Sequence, residues 1–404
     1  MKNMRVFRVN YRPWATFVFS LLLVVGFGAD VVKSQNNPNA KPATEFVYVL
    51  DSNDMRGDAQ VFVINPATNM IENRIKAGYA ADFALSPDGS RLYVGSVIDK
   101  RGRLDIYEAS SGKLLQTVDN ANLGVPTTPR YRSHMTFSAD GKWLYIFKYS
   151  FREDLYFIAV FDTNAAAFLP ESIPLPGCMN AIVSPSNSNK QQLSVMCTST
   201  NDVRFFDISE TGNGRVAAKL PLRLRGRTNR FGLSIGFTSL LSTENGDKAI
   251  LDDGSFFEID NRSKKISRLG IIDGKSRKGG FDKSPALTGD SEDWMGGKWI
   301  PFGAAAVTRN KGTLYLGIAQ VEDFRRSDWT FTTIGLFDTS TLSRLDVIET
   351  KHRLYSITLN AEGNRLFGVD PVNKRLVIFD AKTGKELSVV DQLGESPILV
   401  LVGS

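Results

Sequence analysis

The sequence predicts an all-β fold in which one four-stranded unit is repeated along the chain. Three observations predict it: an acidic or Asn position recurs about every 52 residues, short apolar runs alternate with tight Gly-bearing turns, and long helical periodicity is absent. Composition allows such a fold. The 404 residues are 42% apolar and 10% aromatic, far too apolar for a disordered chain and enough to bury a sizeable core.

The chain begins with Lys2, Arg5, Arg8 and Arg12, no acid among them, followed by the apolar run Ala15 to Gly28. This is the pattern of a secretory signal peptide over residues 1–28. As a helix the run rises about 21 Å, short of the roughly 30 Å hydrocarbon core, so a cleaved signal fits better than a permanent span. Residues 29–44 are polar, with Asn, Gln and Pro, and read as a flexible lead into a repeat domain over 45–404. The expected compartment is the periplasm. The formal charge of +6 owes four cations to the signal, so the mature chain is nearly balanced and a general nucleic-acid binder is not indicated.

The recurring polar position is Asn65, Glu108, Asp162, Asp207, Asp260, Asp338 and Asp380, seven copies in all. A second pattern precedes it. Leu85-Ser86-Pro87-Asp88-Gly89 leads to Leu92-Tyr93-Val94, Phe137-Ser138-Ala139-Asp140-Gly141 to Leu144-Tyr145-Ile146, and Leu359-Asn360-Ala361-Glu362-Gly363 to Leu366-Phe367-Gly368. Each carries the turn residues a β-turn demands between two strands. Runs such as Val61-Phe62-Val63-Ile64 and Leu376-Val377-Ile378-Phe379 supply β-branched and aromatic strands, expected to alternate in burial. Four-stranded units of this length, seven times over, predict a seven-bladed β-propeller. The first unit, opening on Phe46-Val47-Tyr48-Val49-Leu50, lacks one strand, and Pro397-Ile398-Leu399-Val400-Leu401-Val402 is a strand without a unit. Pairing the two would close the propeller and remove an exposed edge.

Two cysteines, Cys178 and Cys197, flank a Pro/Asn/Ser turn. Export and this spacing favour a disulfide across one hairpin, with two buried thiols as the other reading. His134 and His352 are the only histidines, too few for a zinc or iron site, and read as structural. Nucleophile-elbow, P-loop and dinucleotide motifs are missing, so the residues assign no catalytic, cofactor-binding or metal site to this chain. Two segments break the repeat. The interval from Asp260 to Asp338 is longer than the others and holds Asp293-Trp294-Met295-Gly296-Gly297-Lys298-Trp299, whose two rings read equally as a candidate contact surface or as cover for the blade edge. Arg215, Lys219, Arg223, Arg225, Arg227 and Arg230 form a basic run that reads as a solvated loop or a steering patch.

With the units placed, several stretches resemble the large (heavy) subunit of periplasmic methylamine and aralkylamine dehydrogenases. They are Ile378 to Leu387 running into Val390-Asp391-Gln392-Leu393-Gly394, the segment with Trp294, Gly296, Gly297 and Trp299, and the cysteine pair. The resemblance implies a non-catalytic subunit of an amine dehydrogenase. The redox centre, tryptophan tryptophylquinone, would sit on a separate small subunit. A small copper protein would accept the electrons, and the assembly would be a heterotetramer. It further implies that Met55 stands where the family can place a channel phenylalanine, and that Met55, Trp294 and Trp299 are candidates for the substrate channel or partner contact. Asp54, Arg56 and Asp58 make this loop more polar than the family pattern. The competing expectation is a stand-alone exported β-propeller that binds a protein or small ligand without catalysis.

Overall fold

The structure, a computed structural model, describes residues 45–403 except 53–58, 100, 121–124, 127–133, 151–154, 179–180, 186–191, 198–199, 201, 222–236, 244–245, 252–254, 261–262, 272–298, 309, 311, 321–329 and 342. The chain divides into Met1–Ala43, outside the described residues, and Thr44–Ser404.

Seven antiparallel sheets follow one another among the described residues. Sheet 1 holds β1 (Phe46–Asp51), β2 (Gln60–Asn65) and β3 (Met70–Lys76). Sheet 2 holds β4 (Tyr79–Leu85), β5 (Arg91–Ile98), β6 (Arg101–Glu108) and β7 (Leu114–Asn120). Sheet 3 is built from β8 (Val125–Pro126), β9 (Met135–Phe137), β10 (Trp143–Ser150), β11 (Leu155–Asp162), β12 (Ala167–Phe168) and β13 (Ile173–Pro174). Its first and last strands are each split in two. Sheet 4 holds β14 (Ala181–Pro185), β15 (Gln192–Cys197), β16 (Asp202–Ile208) and β17 (Gly214–Pro221). Sheet 5 holds β18 (Phe237–Thr243), β19 (Gly246–Leu251), β20 (Ser255–Asp260) and β21 (Lys265–Ile271). Sheet 6 holds β22 (Trp299–Val307), β23 (Thr313–Gln320), β24 (Phe331–Asp338) and β25 (Arg344–Leu354). Sheet 7 holds β26 (Ser356–Leu359), β27 (Arg365–Asp370), β28 (Arg375–Asp380) and β29 (Glu386–Val390).

The last strand, β30 (Pro397–Gly403), returns to sheet 1 and pairs antiparallel with β1, Val47 opposite Val402 and Val49 opposite Val400. This pairing gives the first sheet its fourth strand from the other end of the chain. The first strands of successive sheets touch in order, β4 on β9, β9 on β14, β14 on β18, β18 on β22, β22 on β26 and β26 on β30. The series ends where it began, with β30 against β4.

The seven polar repeat positions all fall at or next to the end of a third strand, where several of them tie down the turn that follows. Asp162 Oδ1 accepts the Asn164 and Ala165 N–H groups, Asp338 Oδ1 those of Ser340 and Thr341, and Asp380 Oδ1 that of Thr383. Asn65 does the same with Ala67 N–H. These side chains replace the partners that strand ends lose. Hydrogen bonds led by Ser340 pull the Asp338 carboxyl down to about 2. Asp338→Ala should therefore lower stability by about 1 kcal/mol at neutral pH. A depressed carboxyl contributes above its ordinary range and is lost as pH falls through the folded value, so urea melts should show the deficit shrinking from pH 4 toward pH 2.

The three turns of the second pattern have glycine at positive φ, 70° at Gly89, 72° at Gly141 and 71° at Gly363, where a side chain would be strained. The middle strands differ from the expected alternation. Val61 to Ile64 and Leu376 to Phe379 are buried at every residue, since neighbouring sheets cover both faces. Tyrosines of the second strands reach across such junctions. Tyr48 donates to Ala109 O of sheet 2 at 2.9 Å, and Tyr315 donates to Ala381 O of sheet 7 at 3.0 Å.

Candidate functional site at the starts of the first strands

Antiparallel pairing sets the start of each first strand beside the end of the second: Tyr79 against Val97, Ala181 against Cys197, Trp299 against Gln320, Pro397 against Asp51. At this end lie the cysteine pair and the start of β22 at Trp299. Met55 and Trp294 lie outside the described residues. Trp299 opens β22, placing the Trp segment immediately before a first strand.

Cys178 and Cys197 form a disulfide with Cα atoms 5.1 Å apart. Both are buried with Leu175, Ala181, Leu193 and Phe206. Cys197 ends β15 opposite Ala181, and the turn through Leu175 and Cys178, just before β14, brings the second sulfur to that strand end. Beside it, Asp202 is buried and takes Arg204 Nε at 2.9 Å and Lys219 Nζ at 3.1 Å. Burial pushes its carboxyl up, and hydrogen bonds led by Arg204 outweigh this and hold it below the usual carboxylate range. Lys219 of the basic run is thus engaged within its own sheet; Arg223, Arg225, Arg227 and Arg230 lie outside the described residues.

Both histidines serve packing. His352, buried on β25, sets Nε2 3.0 Å from Glu386 Oε2 and Nδ1 3.4 Å from Asp370 Oδ2, clasping sheet 6 to sheet 7. The bond with His352 is the main cause that lowers the Glu386 carboxyl. His134 precedes β9 with its ring edge-on to Phe147, centroids 5.8 Å apart. Among the described residues no group of three His, Cys, Asp or Glu side chains could hold a metal ion.

Sequence reasoning missed the buried charges at this end. Asp51 closes β1 with 1% exposure, and its carboxylate accepts Ser396 N–H at 2.7 Å, Glu395 N–H at 3.2 Å and Gln60 Nε2 at 3.3 Å. It fixes the start of β30, where the last strand joins the first sheet. Lys148 on β10 is 1% exposed, and its face of sheet 3 turns toward sheet 2. Its Nζ lies 3.8 Å from the point a Cβ on Gly95 would occupy, and Gly95 stands opposite Asp82 in the β4–β5 pair. Asp82, also buried, accepts Phe83 N–H at 2.8 Å and His134 N–H at 2.7 Å, linking β4 to the residue before β9. Burial lowers the Lys148 ammonium to about 7 while the Asp82 charge pulls the other way. A signal was present: Lys148 interrupts the run Leu144-Tyr145-Ile146-Phe147, at a position sharing its face with Leu144 and Ile146.

Comparison with known proteins adds what this geometry lacks. The family model described as methylamine dehydrogenase heavy chain matches residues 268–403. The methylamine dehydrogenase heavy chain of Methylophilus methylotrophus is 24% identical over 369 residues, 88% of this chain and 83% of that one. The Methylorubrum extorquens heavy chain is 30% identical over 152 residues, 37% of this chain and 33% of that one. Among solved structures, the periplasmic gluconolactonase of Pseudomonas aeruginosa superposes with a TM-score of 0.61 at 13% identity, covering 89% of this chain and 99% of that one. A β-propeller domain from Myceliophteria thermophila gives 0.53 at 13% identity, over 81% of this chain and 90% of that one. At such identity these two show the fold, a β-propeller type. By sequence, this chain is a relative, at 22% to 30% identity, of the methylamine dehydrogenase heavy chains.

Proposed function

We propose that this chain is the non-catalytic large subunit of an exported quinoprotein amine dehydrogenase. The seven sheets form the blades of one propeller, closed by β30 on β1, and the cycle of contacts among the first strands supports this ring. The propeller cradles a small subunit bearing tryptophan tryptophylquinone. That group would take two electrons from a primary amine, releasing aldehyde and ammonia after water adds. A small copper protein then accepts the electrons, and two large and two small subunits make the heterotetramer. This chain contributes channel walls and partner contacts, with Met55, Trp294 and Trp299 as the candidate residues, and works in the periplasm after removal of residues 1–28.

The observation that carries the reading is the likeness to the Methylophilus heavy chain across 88% of this chain. Asp391-Gln392-Leu393-Gly394 falls within the segment the family model matches. The test is purification of the native protein from the exported fraction, then a denaturing gel stained for redox-cycling quinones, with intact mass. We expect a second, small, quinone-positive band in equal amount. A lone chain of mature mass with no quinone stain overturns the reading and leaves a stand-alone binding propeller.

A further inference from the structure

Lys148 is a buried amine in a largely apolar junction. Across the junction its Nζ approaches the vacant side of Gly95, where Met135 also packs, and Phe157 is its partner on the neighbouring strand of its own sheet. The titratable groups turned toward this junction are few among the described residues. β4 brings Asp82, the residue before β9 is His134, and β5 brings Tyr93, whose ring lies against Phe137 and Phe161. Asp82 is already committed to two backbone amides, Phe83 N–H and His134 N–H. A charged ammonium therefore shares its counter-charge with groups that need it, whereas a neutral amine packs as a four-carbon chain.

We propose that Lys148 makes the junction between sheets 2 and 3 a proton-operated closure: neutral, it lets β4 and the start of β9 lock through Asp82 and His134; protonated, it draws water and loosens them. The sign follows from linkage. In any opened state that hydrates Lys148 the amine regains its ordinary pKa near 10.4, while in the closed state burial holds it at about 7. The open state binds the extra proton between these values, so closure strengthens as pH rises from about 7 and levels off near 10. The device stands on this chain alone and does not need a quinone partner.

The test is amide hydrogen exchange on the full mature chain, followed by mass spectrometry of the peptide spanning His134 to Phe137, from pH 6 to pH 10. Rates are corrected for base catalysis by an unstructured reference peptide. Protection in the wild type should climb relative to Lys148→Met by up to tenfold per pH unit above about 7, the limit for one proton. His134→Gln should keep this dependence. Asp82→Asn removes the charge that favours the ammonium, so the onset should move to lower pH; this variant also answers if Lys148→Met does not fold. A wild type to Lys148→Met ratio that is flat with pH overturns the proposal. So does a dependence that vanishes in His134→Gln, or an Asp82→Asn onset that stays put or rises.

Discussion

Asp82→Ala is expected to cost about 3 kcal/mol at pH 6 and about 2 kcal/mol at pH 9. Two contributions add. The carboxylate accepts two amide hydrogens, from Phe83 and His134, and removing it strips buried donors of a partner, at about 1–3 kcal/mol. The second is the charge on Lys148, left without its compensating neighbour. Breaking a buried pair can cost about 3–5 kcal/mol when the remaining ion has no escape. Here it has one. The amine can shed its proton, and with a folded value near 7 that costs only about 1.4 kcal/mol at pH 6 and nothing at pH 9. The charge contribution is capped accordingly. Chemical denaturation at the two pH values should show the larger deficit at the lower one. Adding Lys148→Met to Asp82→Ala should erase the pH 6 excess while leaving the amide cost. An equal deficit at both pH values, or one that grows toward pH 9, would refute the assignment of charge to Lys148.

Cys178→Ser should be the other large effect. The bridge closes a loop of 19 residues, and the chain-entropy model gives about 3 kcal/mol for that constraint. Both sulfurs are fully buried among Leu175, Leu193 and Phe206, so the serine hydroxyl also enters an apolar site. In a domain of this size the loss should move the melting temperature by roughly 4 °C. Wild type under a strong reductant should melt close to the variant. Coincident melting of wild type and Cys178→Ser under non-reducing conditions would remove the disulfide from the account.

Much of the fold was legible because its determinants are local. An Asp that caps its own turn two or three residues on, as Asp338 and Asp380 do, leaves the same mark in each unit, and the glycines at 89, 141 and 363 are required by φ values that a turn imposes. The pairing of Pro397 to Val402 with the first unit was also legible, by elimination, since one unit was short of a strand and one strand short of a unit. The cysteines were readable for a similar reason: they flank one hairpin, Cys197 at the end of β15 and Cys178 in the turn just before β14.

Other features depend on which sheet lies next to which. Nothing adjacent in sequence tells Lys148 that Asp82, 66 residues earlier, will be its neighbour, or that Gly95 will leave room for its ammonium. The clasp of His352 on Asp370 and Glu386, and the hold of Asp51 on Glu395 and Ser396, likewise join residues across a junction or across the chain's ends. The continuous burial of the middle strands arises the same way, because a second sheet covers the face that an isolated sheet would offer to water. The sequence by itself determined the repeated unit, its turns and the left-over strand that pairs with the first unit, since these follow from backbone stereochemistry and short-range hydrogen bonds. Only the tertiary structure decided where charge is buried and how strongly it is compensated, since desolvation depends on every surface that closes over a group and not on its neighbours in the chain.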